Sequence, residues 1–333
     1  MSNDILPIPN IPDGLREASQ RGTLIPFVGA GASVLAGCPR WSQLADGALA
    51  QFVELGKISH AEIDQINHLH PRVKLSIAKG LEVEHKSPID FRALIHPLGR
   101  NSDQKGRELY GSLSKLGKTF VTTNYDEWLD EEIDSSDLRM DAVVDPTLAP
   151  EPRLRNIYHR VSDLTAANLN QPNTVIHLHG SVLDPEHMVL TTQDYVRHYA
   201  NDRMSGDVGL ENRVLTFLEY LFRQKTVLFV GYGLEELEIL EYVILKARHN
   251  HTSNQLEARH FLLQGFFSHQ KSLMQSLKQY YLHECGIQLI PFLRDQQDWN
   301  QLLDVMKEFA RLAPASEPMY LQEFKDMKEM LNG

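Results

Sequence analysis

Two apolar runs that end in paired glycines constrain this chain more than any other feature. "LIPFVGAGAS", residues 24 to 33, runs into Gly29 and Gly31, and "KTVLFVGYG", residues 225 to 233, repeats the theme with Gly231 and Gly233. A strand that enters a loop almost free of side chains lets a ligand approach the backbone, and the usual ligand there is a phosphate. Neither common phosphate template is complete. Val34 stands where Gly-x-Gly-x-x-Gly needs its third glycine, and no Gly-Lys-Ser/Thr follows.

Strand-like and helix-like segments alternate along most of the chain. A short helix over residues 12–21 feeds the first strand, and residues 43–116 carry mostly helical spacing, clearest in "WSQLADGALAQFVEL". "KTFVTTNYD" reads as a strand ending in a polar loop, followed by a short acidic helix "EWLDEEI". Residues 145–173 begin proline-rich and irregular, an excursion from the sheet. "TVIHLHGS" is a strand ending at a glycine, and "MVLTTQDYVRHY" a short strand followed by a helix capped at Thr191 or Thr192, with Asp194 near its start. After the second glycine turn come the periodic helix "LEELEILEYVILKAR", the strand "HFLLQGF", the helix "HQKSLMQSLKQYYLHE", the strand "IQLIPFL" and the helix "DWNQLLDVMKEFARL". This order predicts an α/β fold: a Rossmann-like, doubly wound parallel sheet with a smaller helical subdomain. One domain is expected over 1–333, with a core at 12–42 and 117–312, a helical insert at 43–116 and a C-terminal helical extension at 313–333 that includes the amphipathic "MYLQEFKDMKEML".

Composition narrows the function classes. A net charge of −11 over 333 residues disfavours direct nucleic-acid binding, because a phosphate backbone would meet an acidic surface. No apolar stretch approaches the roughly 20 residues that span a bilayer, and the N-terminus lacks the pattern of a signal peptide, so a cytoplasmic location is expected. Cys38 and Cys285 are the only cysteines, too few for a disulfide framework or a four-cysteine zinc site within one chain.

Four strand ends stand out in order: "FVGAGAS", "VTTNYD", "IHLHG" and "FVGYG". Together they resemble the Sir2 (sirtuin) superfamily, and especially its SIR2-like branch of prokaryotic antiphage defence proteins. The resemblance runs from "LREASQRGTLIPFVGAGAS" to "CGIQLIPF" and implies that NAD+ is bound as a substrate. It assigns Gly29, Ala30, Gly31 and Ser33 to the diphosphate, and Pro39 and Trp41 of "GCPRWSQL" to a flexible cofactor loop. Thr123, Asn124 and Asp126 fall near the nicotinamide ribose, His179 is the catalytic histidine, and Gly231, Tyr232 and Gly233 lie toward the adenosine.

The residue types suit that chemistry. Breaking a nicotinamide ribosyl bond leaves positive charge on the sugar, so the site needs a phosphate cradle, polar groups around the ribose and a base. Backbone N–H groups from Gly29 to Ser33 can meet the diphosphate. Asn124 can orient the ribose or a water without adding charge, and Asp126 can organise the loop or stabilise the developing cation. An imidazole is suited to general-base work near neutrality, which fits His179. His177 alternates with Leu178, so both histidines are expected on one side of the strand. His177 reads as a packed or hydrogen-bonded neighbour, and a His177/His179 metal pair lacks a third ligand. His249 and His251 of "RHNHTS" lack the ββα-metal pattern of a nuclease.

Departures from the family shape the expectation further. The paired Cys-x-x-Cys zinc module of protein-deacylating sirtuins is missing, so no zinc is expected and water becomes the simplest acceptor. Glu235 and Glu236 stand near the place where this branch often carries an aspartate after the second glycine turn. The resemblance therefore implies an NAD+ hydrolase releasing nicotinamide and ADP-ribose, with Asn124, His179 and Asp126 as its catalytic residues. It implies regulation by homo-oligomerisation or by a partner, a HerA-type ATPase first and a short Argonaute system as the alternative. The rival readings are an NAD-dependent deacylase or ADP-ribosyltransferase, and a non-catalytic module that senses NAD or ADP-ribose.

Overall fold

The computed structural model describes residues 5–96, 104–131, 154–199, 212–233 and 259–315. Seven parallel strands form one sheet among these residues: β1 (Leu24–Val28), β2 (Thr119–Thr122), β3 (Asn156–Tyr158), β4 (Thr174–His177), β5 (Thr226–Val230), β6 (His260–Phe266) and β7 (Ile287–Leu293). Their spatial order is β3-β4-β2-β1-β5-β6-β7. The chain builds outward from β1 in one direction, then returns to the other side of β1 with β5. The crevice between β1 and β5 is thus the topological switch point, where open α/β sheets bind ligands.

Helices cover both faces, as a parallel sheet requires. One face packs against α1 (Asp13–Gln20) and a helical insert between β1 and β2, and the short α2 (Ala30–Leu35) sits at the end of β1. The insert comprises α3 (Trp41–Glu54), α4 (His60–Ile66), α5 (Pro71–His85), α6 (Phe91–Ile95) and α7 (Gln104–Leu113). The opposite face packs against α8 (Ala166–Asn170), α10 (Arg213–Gln224) and α11 (Lys271–Tyr280), with α9 (Thr192–Tyr199) between α8 and α10 in the chain. The last described helix, α12 (Gln301–Leu312), returns to the first face through Leu302, Val305, Met306 and Phe309. Local signals place the ends: Ser59 and Glu62 form a capping box on α4, Pro71 opens α5, and the Asn212 side chain accepts from the N–H groups of Val214 and Leu215. No helix among the described residues is long and apolar enough to cross a membrane.

Four expectations need correction. The chain after β1 is not an open loop, because α2 begins at Ala30. Residues 126–131 form turns rather than the start of a helix. The carbonyls that a helix would use internally are taken by Arg155, which donates to Leu129 O at 2.5 Å and Glu131 O at 2.9 Å. "MVL", residues 188–190, pairs with no strand; it packs on the His-Gly turn, with Val189 N–H donating to His179 O at 2.8 Å. The excursion contributes to the sheet after all, since β3 adds an edge strand beside β4. The segment "LEELEILEYVILKAR", Glu235, Glu236, His249, His251 and residues 316–333 lie outside the described residues.

The glycines of the two turns meet each other. A Cβ on Gly31 would lie 2.8 Å from Gly231 O, and one on Gly231, at φ +71°, would strike the Ala32 nitrogen. Gly231→Ala is therefore expected to cost about 1–3 kcal/mol through left-handed strain and the clash. Gly80 in α5 is exposed and meets no heavy atom within 4 Å, so Gly80→Ala is expected to stabilise by about 0.5–1 kcal/mol. Thermal unfolding of the two variants checks both signs.

Candidate active site

Strand register brings the four motifs to one edge. Thr122 lies beside both Val28 and His177, and Val28 lies beside Val230. The residues that follow each strand therefore emerge in a row: Leu178 and His179, Thr123 and Asn124, Gly29, then Gly231.

The two glycine turns are joined by hydrogen bonds. Gly29 N–H donates to Val230 O at 2.9 Å and Gly31 N–H to Gly231 O at 2.7 Å, while Thr123 Oγ1 and Tyr232 Oη share a bond of 2.9 Å. Tyr232 is buried edge-on against Phe27 and Phe229, and Gly233 is exposed. This revises the expected cradle. The N–H groups of Gly29 and Gly31 are engaged by the second turn, and Ala32 N–H returns to Gly29 O. Ala30, the first residue of α2, has an N–H that its own helix cannot satisfy.

Ser33 and Asp126 tie the β1 and β2 ends together. Ser33 Oγ donates to Asp126 Oδ2 at 2.5 Å, and Asp126 Oδ1 accepts from Trp128 N–H at 3.2 Å. Tyr110 Oη lies 3.3 Å from Ser33 Oγ, its ring stacked on Trp128. Burial, reinforced by the Asp126 carboxylate, pushes the Tyr110 hydroxyl well above its usual value. Asp126 thus ties the loop after β2 to Ser33 of α2.

Asn124 is held from three sides. Its N–H donates to Thr122 Oγ1 at 3.0 Å, its side-chain Nδ2 to Gly29 O at 3.0 Å, and its carbonyl lies 3.0 Å from His177 Nδ1. Its Oδ1 is buried and has no hydrogen-bond partner among the described residues.

The two histidines part company, because β4 ends at His177 and strand alternation stops there. His177 is 1% exposed and its Nε2 lies 2.8 Å from Asp130 Oδ1. Burial alone would lower its pKa, yet Asp130 and the Asn124 carbonyl outweigh burial and raise it. His179 turns instead to α9, where its Nε2 and Tyr199 Oη share a 2.6 Å hydrogen bond. The rings of Tyr195 and His198 pack on it at 5.3 and 5.8 Å. Burial, then His198 and Arg72, lowers the His179 pKa to about 3, and burial holds the Tyr199 hydroxyl above its usual value. Arg72 of α5 lies 3.8 Å over the Tyr195 ring and 5.6 Å from Trp41. Trp41 opens α3, so the expected cofactor loop around Pro39 is only the short connection over 36–40. Among the described residues Trp41 Nε1, Arg72 Nε and His198 Nε2 are likewise buried without hydrogen-bond partners. Among the described residues no group of three His, Cys, Asp or Glu side chains could hold a metal ion.

A family model described as SIR2-like domain matches residues 118–290, more than half of the chain. The chain belongs to the SIR2-like domain family. SIR2-like domains use NAD+, so the site at this sheet edge belongs to an NAD-related protein. The matched span contains Thr123, Asn124, Asp126, His179 and the second glycine turn, whereas the first turn and the helical insert precede it. A search of curated proteins returned no match.

Sequence reasoning missed the residues that surround His179 and Asn124. Tyr195, His198 and Tyr199 are spaced i, i+3, i+4 and so share one helix face, a signal present in "QDYVRHY". Asp130 and Arg72 carry no such signal; each sits among other charged residues, and only the fold singles it out.

The buried histidines set an acid limit on stability. The folded chain lowers the pKa of His179 to about 3, His198 to about 4 and His260 to about 3, in each case chiefly by burial. The unfolded chain takes up these protons below about pH 6.5, so stability falls as pH drops from there toward 4. His177 has the opposite sign: its contribution is full below about pH 6.5 and lost as pH rises through its raised folded value. Three against one predicts a lower urea midpoint at pH 5.5 than at pH 7.5, measured by fluorescence.

Proposed function

We propose that this SIR2-like domain is an NAD+ glycohydrolase. Water oxygen bonds to C1′ of the nicotinamide ribose, the C1′–N bond breaks with its electron pair leaving on nicotinamide, and ADP-ribose and a proton complete the products. The observation that carries the reading is the buried, unpartnered Oδ1 of Asn124, at a switch-point edge it shares with a histidine. A buried amide oxygen without a partner costs free energy unless a ligand or water completes it. Asn124 would orient the ribose or the water, and His179 would take the proton. Trp41, Arg72 and His198 add buried donors and ring nitrogens suited to the polar groups of a dinucleotide.

The same geometry supports restraint. In the tautomer whose Nε2 accepts the Tyr199 proton, the Nε2 lone pair is engaged and Nδ1 carries the ring proton, so neither nitrogen is free to act as a base. A group with a pKa of about 3 is also a poor base. Displacing α9 would free Nε2 and let water raise the imidazole's pKa back toward its ordinary value. We propose that this resting state suits an antiphage effector released by homo-oligomerisation or by a partner, first among them a HerA-type ATPase.

The test is nicotinamide release from NAD+ by the wild type, alone and with a candidate ATPase. His179→Ala and Asn124→Ala are each expected to lower release by about 100-fold or more. Tyr199→Phe, which removes the hydroxyl from Nε2, is expected to raise basal release several-fold. No release in any assembly state overturns the hydrolase reading, and turnover that requires an acyl peptide replaces it with the deacylase. Release untouched by either alanine variant overturns the residue roles.

A further inference from the structure

His177 and Asp130 form a buried pair that the hydrolase reading does not use. His177 Nδ1 faces the Asn124 carbonyl, which only accepts, so Nδ1 carries a proton. Its Nε2 faces Asp130 Oδ1 at 2.8 Å, and an ionised carboxylate also only accepts. Both ring nitrogens are then donors. If the imidazole loses one proton, a lone pair must face either the Asn124 carbonyl or the carboxylate, and one of the two contacts becomes repulsive.

The rest of the surroundings fit a pair kept for its geometry. Both side chains are almost wholly buried, and Asp130 Oδ2 has no hydrogen-bond partner among the described residues, so the carboxylate's one fixed side-chain contact is His177. Arg155 fixes the turn that carries Asp130: its N–H donates to Asp130 O at 2.9 Å, and its guanidinium donates to Leu129 O, Glu131 O and, at 3.0 Å, Ser114 Oγ. Asp126 is the other carboxylate that bears on His177, and it is bound to Ser33 and Trp128. Among the described residues the Asn124 carbonyl is the ring's one non-carboxylate hydrogen-bond partner, and Asn124 is the residue whose side chain bridges to Gly29.

We propose that protonated His177, held by Asp130, is the positioning residue for Asn124. It fixes the Asn124 main chain so that Nδ2 stays on Gly29 O and Oδ1 stays directed to a ligand. The inference rests on the proposed role of Asn124 in NAD+ hydrolysis, but two of its readouts do not require turnover.

In the native chain labelled with 15N-histidine, His177 is expected to show two protonated, hydrogen-bonded ring nitrogens at pH 7, assigned by their loss in His177→Gln. Asp130→Asn can donate its amide to Nε2 while Nδ1–H stays on the Asn124 carbonyl. It is expected to keep the Asn124 side-chain amide resonances near their native positions, to keep kcat within about threefold, and to flatten the fall of kcat at alkaline pH expected of the wild type as His177 loses its proton. Asp130→Ala leaves the ring without its anchor. It is expected to shift the Asn124 amide resonances and lower kcat at least tenfold, with the affinity for NAD+ changed less than threefold. A neutral His177 at pH 7, equal behaviour of the Asn and Ala variants, or a loss confined to NAD+ affinity overturns the proposal. Absence of wild-type turnover in every assembly state overturns the hydrolase reading alone, because the ring-proton and amide signals still decide whether His177 positions Asn124.

Discussion

Everything at this sheet edge depends on the contact between two glycine turns. β1 and β5 are neighbours in full register, and the chain leaves both through glycines whose backbones lie against each other. Gly31 N–H to Gly231 O, at 2.7 Å, closes the crevice from below. No side chain fits between them, since a Cβ on Gly29 would meet the Tyr232 ring and one on Gly31 the Gly231 carbonyl. The absence of side chains, which in a sequence suggests room for a phosphate, here serves first to let two strand ends dock. What remains for an anion is the N–H of Ala30 and the side chains arranged around the crevice.

That docking sets the position of the polar residues one strand over. Gly29 O, fixed by its turn, is the acceptor for Asn124 Nδ2, and Thr123 reaches across to Tyr232 of the second turn. Ser33, on the first turn of α2, locks Asp126. Each strand end is thereby referenced to its neighbour rather than to its own loop, and a rigid scaffold can then carry groups on short connections. The price is that Asp126 and Thr123 have protein partners already, so among the described residues the unpartnered buried groups around this edge are Asn124 Oδ1, Asp130 Oδ2 and the nitrogens of Trp41, Arg72 and His198.

The sheet was legible in the sequence where strands are apolar and end at glycine or polar residues. β1, β2, β4 and β5 follow that rule, and their motifs converge on one edge as a parallel sheet demands, while β6 and β7 were read from their apolar runs between helices. The exceptions have tertiary causes. β3 is three residues long and lacks an apolar run, so only its pairing with β4 makes it a strand. "DEWLDEE" has helix-forming composition, but Arg155, Ser33 and His177 compete for its carbonyls and carboxylates from far along the chain, and local propensity loses. At the site, Asn124 and His179 were visible through their motif. Tyr199, Arg72 and Asp130 were not, because what matters about them is the residue each one touches.

His177 and His179 are two residues apart and have opposite electrostatic fates. Both are buried, and burial alone disfavours the charged imidazole at each. At His177 a carboxylate and a carbonyl sit on the two ring nitrogens, so charge is favoured in spite of burial. At His179 the neighbours are another histidine, an arginine and neutral tyrosine hydroxyls, so every nearby charge adds to the cost of protonation. Groups driven apart in this way are suited to separate roles, a charged imidazole to holding a fixed geometry and a neutral one to offering a lone pair. The end of β4 at His177 is what makes this division available, because a strand continued to His179 would have turned both rings into the same surroundings.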